Sequence, residues 1–365
     1  MPSLPAVRHA PVTGKWRLGC RLGRDDEMAG RVSARVANLD EINRRVRPKI
    51  TSRIDAITKL PPAYRVTKPP CPRSCKIELT ARCNFLCRFC ARSMRLRNLG
   101  DMDRRLFERL LLEMREAGVE EIGLFYLGES LLCTWLAEAV FFAKRKAEYP
   151  YVFLTTNGSL ATPVVIGALI GNGLDSLKFS LNYADEDQFA EITRVKKRIY
   201  GKIKDNIKAA RDVRDAIADQ TGHFCGLYAS YILYDDDQAV RMAETVEELR
   251  PYVDEIYELP LYNQASLVTE EEKAQGWRPT PGNRGRAGAL RDPLPCWACF
   301  TEAHITYDGK LAACCFDHTN EFEMADLTEK SFLEGWHSSR FVDLRAAHLA
   351  RDVRNTPCEQ CIACA

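Results

Sequence analysis

Three cysteines fall within eight residues, Cys83, Cys87 and Cys90, in the run Cys-Asn-Phe-Leu-Cys-Arg-Phe-Cys. Thiolates are preferred ligands of iron–sulfur clusters and of zinc. A structural zinc ion closes its shell with four ligands. A cubane cluster held by three cysteines instead keeps one iron open to a substrate or cofactor. Cys71 or Cys75 can supply a fourth thiolate, so the spacing leaves open a zinc-stapled binding protein without catalysis.

A second group comprises Cys296, Cys299, Cys314, Cys315, Cys358, Cys361 and Cys364. The segment 305–314 (ITYDGKLAAC) reads as a hairpin turning at Asp308-Gly309. It brings one cysteine pair together, and the terminal run supplies another, giving a closed four-thiolate site. Zinc suits that geometry as well as a cluster does. The chain holds 15 cysteines, most of them grouped, and in a reducing compartment grouping argues for metal rather than disulfides. Isolated Cys20, Cys133 and Cys225 read as small buried hydrophobes.

The remaining composition is that of a globular protein, 46% hydrophobic and 28% charged, with a formal charge of +2. Bulk electrostatics therefore predicts neither a nucleic-acid nor a membrane-surface partner. No apolar run approaches the roughly 20 residues that span a bilayer, and the first residues lack the apolar core of a secretory signal. The expectation is a cytoplasmic protein.

Short strand patterns alternate with helical ones from residue 76 onward. Strands are expected at 76–80, 121–127, 151–155, 176–181, 223–232 and 253–259, with helices at 106–117, 132–147, 163–170, 187–193, 202–218 and 238–249. This alternation predicts an α/β fold, a partial (β/α)6 barrel of parallel strands whose functional residues collect at the C-terminal strand ends. Residues 1–75 read as an N-terminal extension, with Asp40 capping a short helix over 41–46. Residues 264–294 read as a linker and 295–365 as a small α+β domain, with one helix over 332–349. Asp235-Asp236-Asp237 reads as a capped helix start, and the six histidines show no metal-ligand spacing.

The CxxxCxxC run with Phe89 before its last cysteine, following a first strand, resembles the signature of the radical S-adenosylmethionine superfamily over about residues 76–262. The resemblance implies a [4Fe-4S] cluster on Cys83, Cys87 and Cys90 whose open iron chelates S-adenosylmethionine. Reductive cleavage would then yield a 5′-deoxyadenosyl radical that abstracts hydrogen from substrate. Gly128 and Glu129 stand where the family carries a Gly-Gly-Glu-Pro run that meets the methionine amino group, although Leu127 and Ser130 depart from it. A strand-to-helix turn capped by Ser130 is the alternative. Asn157, in Thr-Thr-Asn-Gly, and Ser180 and Asn182, on one face of the fourth strand, match positions near the cofactor.

Pro295-Cys296, Phe300, Ile305, Asp308-Gly309, Cys314-Cys315 and Trp336 resemble the SPASM/twitch extension that carries auxiliary clusters. The longer cysteine run of the full form is missing, which implies one auxiliary [4Fe-4S] cluster on Cys296, Cys314, Cys358 and either Cys361 or Cys364. A closed auxiliary cluster suits electron acceptance. The resemblance thus implies an oxidoreductase, a dehydrogenase of a small cyclitol, sugar or aminoglycoside-like alcohol, served by an electron donor such as flavodoxin or ferredoxin. The alternatives are a peptide-modifying maturase and an epimerase using Cys225, Cys299 or Cys315 as hydrogen donor. No catalytic base is legible.

Overall fold

The computed structural model describes residues 49–365 except 95, 96, 268, 269, 271–273, 320, 321, 364 and 365. Cys20, the expected helix at 41–46 and Cys364 lie outside the described residues. Six strands follow the expected order: β1 (Ser74–Ile77), β2 (Glu121–Gly123), β3 (Tyr151–Thr156), β4 (Ser176–Ser180), β5 (Gly226–Ile232) and β6 (Glu255–Leu259). Each pairs in parallel with the next. The crossovers carry helices Arg104–Glu116, Leu136–Arg145, Pro163–Gly171, Glu186–Thr193, Arg198–Thr221 and Asp236–Leu249.

Local signals account for these elements. Asp103 accepts the backbone N–H groups of Arg105 and Leu106 and so starts the Arg104–Glu116 helix. Phe107, Leu110, Leu111 and Met114 then recur at helical spacing and are buried in the main core. The strands alternate as their pleat requires. On β4, Leu177 and Phe179 enter the core, while Ser176 and Lys178 line a cavity on the other face. On β1, Cys75 and Ile77 enter the core, and Ser74 and Lys76 line the same cavity.

The sheet is curled. Residues of β1 and β6, at opposite ends of the six-strand run, line one cavity; in a flat sheet they would stand about 24 Å apart. The Ile50–Thr58 helix, inside the stretch read as an extension, closes the strand-start end. Its Thr51 hydroxyl donates to Glu255 at the start of β6 (2.6 Å), and Arg53 pairs with Glu121 at the start of β2 (2.8 Å).

The C-terminal module extends this same sheet. β7 (Glu302–Ile305) pairs in parallel with β1, and β8 (Lys310–Ala312) and β9 (Glu323–Asp326) follow antiparallel. The order across all nine strands is β6-β5-β4-β3-β2-β1-β7-β8-β9. The expected hairpin is β7–β8. Its Gly309 sits at φ +81°, where a Cβ would also lie 2.9 Å from the Thr328 side chain. The helix expected over 332–349 is two, Phe332–Trp336 and Ser339–Leu349, because the Ser338 side chain accepts the Phe341 N–H and caps a new start. Among the described residues no helix is long and apolar enough to cross a membrane.

Candidate active site

The loop after β1 carries Cys83, Cys87 and Cys90. Leu86 and Arg88 donate their N–H groups to the Thr193 and Ile192 carbonyls (3.0 and 2.9 Å), which ties the loop to the end of the Glu186–Thr193 helix. Gln264 holds the other side. Its Oε1 accepts the Ala91 N–H at 3.0 Å, and its Nε2 donates to the Phe89 carbonyl, so the backbone is gripped on both sides of Cys90. Burial pushes the Cys83 thiol up to about 11 and Cys87 well above its ordinary value. Cys90 adds to both shifts, and Cys83 adds to that of Cys87. Crowded, half-buried thiols of this kind favour a bound cation that takes up their charge.

Cys71 and Cys75 are not brought to this loop. Cys75 is fully buried at the start of β1, and Cys71 packs against the same core near Gly118. Among the described residues, no three His, Cys, Asp or Glu side chains are grouped as a single metal ion requires.

The ends of β2, β3 and β4 converge on the loop. Glu129 is 3% exposed, and its carboxylate accepts the Thr156 hydroxyl (2.7 Å), the Asn157 N–H (2.8 Å) and the Leu131 N–H (3.2 Å). Burial nevertheless raises its pKa. The cap at this turn is thus Glu129 rather than Ser130. A Cβ on Gly128 would sit 2.0 Å from the Thr80 carbonyl oxygen, so glycine here lets the segment lie against the entrance to the cysteine loop. The Asn157 amide donates to Asn84 Oδ1 (2.8 Å) and accepts from Ser159 N and Oγ (3.0 and 2.7 Å), pinning the loop from β3. Ser180 ends β4. Asn182 lies just beyond, with a buried Oδ1 that has no hydrogen-bond partner among the described residues. Phe89 packs towards Tyr234, which stacks on Trp277 (centroids 6.1 and 4.5 Å).

The second cysteine group closes around a small void. Cys296, Cys299, Cys314, Cys358 and Cys361 all line it. His348, buried and held down to about 4 by burial, links two of them. Its Nδ1 accepts the Cys296 N–H at 3.1 Å, which leaves the ring hydrogen on Nε2, 3.2 Å from Cys358 Sγ. Asn263 donates to the Cys361 carbonyl (2.8 Å) beside Gln264, so adjacent residues reach the two cysteine groups.

Inside the curled sheet lies a cavity of about 270 Å³. Its walls include Phe125, Tyr151, Phe153, Tyr257, Tyr262 and Trp297, and its ionic residues are Arg53, Lys76, Glu121, Lys178 and Glu302. Cys315 opens into it, whereas adjacent Cys314 faces the cysteine-lined void. Asn283 Nδ2 lies 3.1 Å from Cys315 Sγ. Cys225 is not brought here: it is fully buried in the core before β5.

Residues 77–230 match the family described as the radical SAM superfamily, and residues 296–365 match SPASM, an iron–sulfur cluster-binding domain. The chain thus carries a radical S-adenosylmethionine superfamily domain followed by a SPASM domain. Among curated relatives, GTP 3′,8-cyclase 2 of Mycobacterium tuberculosis is 39% identical over 124 residues, 33% of this chain and 34% of that protein. GTP 3′,8-cyclase of Chlorobaculum tepidum is 32% identical over 119 residues, 33% of this chain and 36% of that protein. The match therefore spans about a third of these relatives' length. Among solved structures, BtrN in complex with AdoMet and 2-DOIA gives a TM-score of 0.51 at 16% identity, covering 76% of this chain and 86% of that one. Streptococcus suis SuiB bound to precursor peptide SuiA gives 0.55 at 15% identity, covering 91% and 74%. At such identities the likeness is one of fold.

A radical S-adenosylmethionine domain followed by a SPASM domain implies [4Fe-4S] clusters and bound S-adenosylmethionine, and the residues present fit both. Two thiol sets stand at separate places on one sheet, and in each burial and neighbouring thiols raise the thiol pKa, a shift that a bound cation would offset. Among the described residues the Asn182 acceptor lacks a donor, as a group awaiting a hydroxyl would. Sequence reading missed Gln264, His348 and Lys178. Gln264 and His348 act over contacts far apart in sequence, and Lys178 reads as an ordinary strand lysine until the curl of the sheet encloses it.

Proposed function

We propose that this protein is a radical S-adenosylmethionine oxidoreductase that oxidises an alcohol of a small cyclitol, sugar or aminoglycoside-like molecule held in the barrel cavity. When bound, the cluster at Cys83, Cys87 and Cys90 together with S-adenosylmethionine supplies a 5′-deoxyadenosyl radical for hydrogen abstraction, and an auxiliary cluster accepts the remaining electron. Asn84, Asn157 and Gln264 hold the cysteine loop in place. Ser180 and Asn182 offer polar groups to the nucleoside. Cys296, Cys314, Cys358 and Cys361 are the proposed ligands of one auxiliary cluster, with Cys299 and Cys364 as further thiols. The alcohol loses a hydrogen atom from carbon, a proton from oxygen and one electron, which balances its conversion to a ketone. A flavodoxin or ferredoxin fits the role of external reductant.

The observation that carries this reading is the cavity inside the curled sheet, with Cys315 of the C-terminal module in its wall. Ser74, Glu121, Tyr151 and Ser176 line it at the strand starts, Thr155 and Leu259 nearer the strand ends, and Cys315 and Phe316, next to Cys314, from the C-terminal module. Its volume is near the lower end of small-ligand pockets, about 300–1,000 Å³, which suits a single ring better than a peptide segment. An epimerase is the second reading, favoured by the Cys315 thiol at the cavity wall.

The test is anaerobic incubation of the reconstituted, reduced enzyme with S-adenosylmethionine and candidate alcohols, measuring 5′-deoxyadenosine against product. Stoichiometric release with a product lighter by one hydrogen molecule supports oxidation. Unchanged mass with solvent deuterium incorporated supports epimerisation and overturns it, and modification only of peptide substrates overturns both.

A further inference from the structure

The cavity has an unbalanced charge. Of its five ionic lining residues, Arg53 pairs with Glu121 at 2.8 Å and Lys76 pairs with Glu302 at 2.7 Å. Glu302 also stands 3.1 Å from His304. Each carboxylate thus already faces a cation, while Glu302 Oε2 makes no hydrogen bond among the described residues. Lys178 makes no ion pair or hydrogen bond among the described residues; the Tyr257 ring lies 6.0 Å from its Nζ, and Glu302 acts on it only through space. A cavity walled by aromatic rings offers a lone ammonium little solvation, and a methionine would fill the same space without that cost. Such a cation is retained where a ligand completes it.

We infer that the barrel cavity takes a substrate carrying an anionic group, a carboxylate or a phosphate, and that the Lys178 ammonium binds it. Burial in the uncompleted site pushes Lys178 down to about 8, and Lys76 adds to the effect while Glu302 opposes it. A bound anion reverses that shift by supplying the missing partner. Lys178 and Ser180 share a face of β4 one pleat apart, about 6–7 Å, so an anion held at Lys178 lies one pleat from the end of that strand. This inference rests on the proposed oxidation of a small alcohol at this site and narrows it, favouring acidic or phosphorylated polyols over polycationic aminoglycosides.

The experiment measures binding rather than turnover. Anaerobic holoenzyme is titrated calorimetrically with glucose 6-phosphate, glucuronate, glucose and glucosamine, which place a phosphate, a carboxylate, no charge and a positive charge on one ring. At least one anionic probe is expected to bind about tenfold or more tightly than glucose, and comparing the two identifies the anion chemistry. Lys178→Met should abolish the difference while Lys178→Arg keeps much of it, with iron content and circular dichroism matching the parent; Lys178→Gln replaces Met if that variant does not fold. Equal binding of all four probes, no binding of either anion, or anion preference undiminished without the lysine overturns the inference. Anion preference without any oxidised product leaves the anion site standing and removes the oxidation reading, and oxidation restricted to neutral or cationic alcohols does the reverse.

Discussion

Lys76 on β1 and Glu302 on β7 meet at 2.7 Å inside the barrel, joining the radical S-adenosylmethionine domain to the SPASM module through one buried ion pair. Burial opposes ionisation of Glu302, but Lys76 and His304 outweigh it and hold the carboxyl down to about 2.

Glu302→Gln leaves the half-buried Lys76 without its counter-charge, and a loss of about 1–3 kcal/mol is expected. Urea unfolding at neutral pH measures it. Because the folded pKa of Glu302 lies below its ordinary 4.5, the pair's contribution is fully present above that value and is lost as pH falls towards about 2. The variant should therefore show a shallower acid destabilisation than the parent.

Lys178 has the opposite sign. Its folded pKa of about 8 lies below the ordinary 10.5, so the folded chain binds that proton more weakly than the unfolded one. Burial then costs up to about 3 kcal/mol below pH 8, and the cost shrinks between pH 8 and 10.5. Lys178→Met should raise the melting temperature at pH 7, with the gain narrowing at pH 9.5. A constant gain across that range would exclude a titrating lysine.

Iron content separates the two thiol sets. Replacing Cys83, Cys87 and Cys90 by Ala in reconstituted protein should leave about four irons per chain if there is one auxiliary cluster. About eight irons would require a second cluster in the C-terminal module.

Gln264→Ala removes both side-chain hydrogen bonds that flank Cys90. At about 1 kcal/mol each, the loss should loosen the cysteine loop while the void around Cys296 and Cys358 stays intact. Paramagnetic resonance of the reduced protein should show the cluster signal that responds to S-adenosylmethionine broadened or diminished, with the auxiliary signal unchanged. Gln264→Glu keeps the acceptor for Ala91 but loses the donor to Phe89, and should fall between the two.

The strand–helix alternation and the cysteine loop were legible in the chain because both depend on spacing over a few residues. A pleat of period two put Lys76 and Lys178 on the face opposite Ile77 and Leu177. Asp103 and Ser338 started helices within one turn of themselves, although the second of these breaks was masked by continuous helical spacing through 332–349. Cys83, Cys87 and Cys90 needed only their separation and the strand before them to suggest a cluster.

The tertiary structure decided what lay between distant residues. Pairing of β7 with β1 brings together strands more than 200 residues apart, and no local periodicity encodes that partner. The same pairing turned Cys314 into the cysteine-lined void and its neighbour Cys315 into the cavity, a distinction that composition cannot carry. Curling of the sheet made Lys178 an interior cation and left Cys225 in the core. Spacing along the chain thus specifies which groups are available for chemistry, while long-range packing sets which of them face one another, because desolvation and pairing depend on neighbours in space.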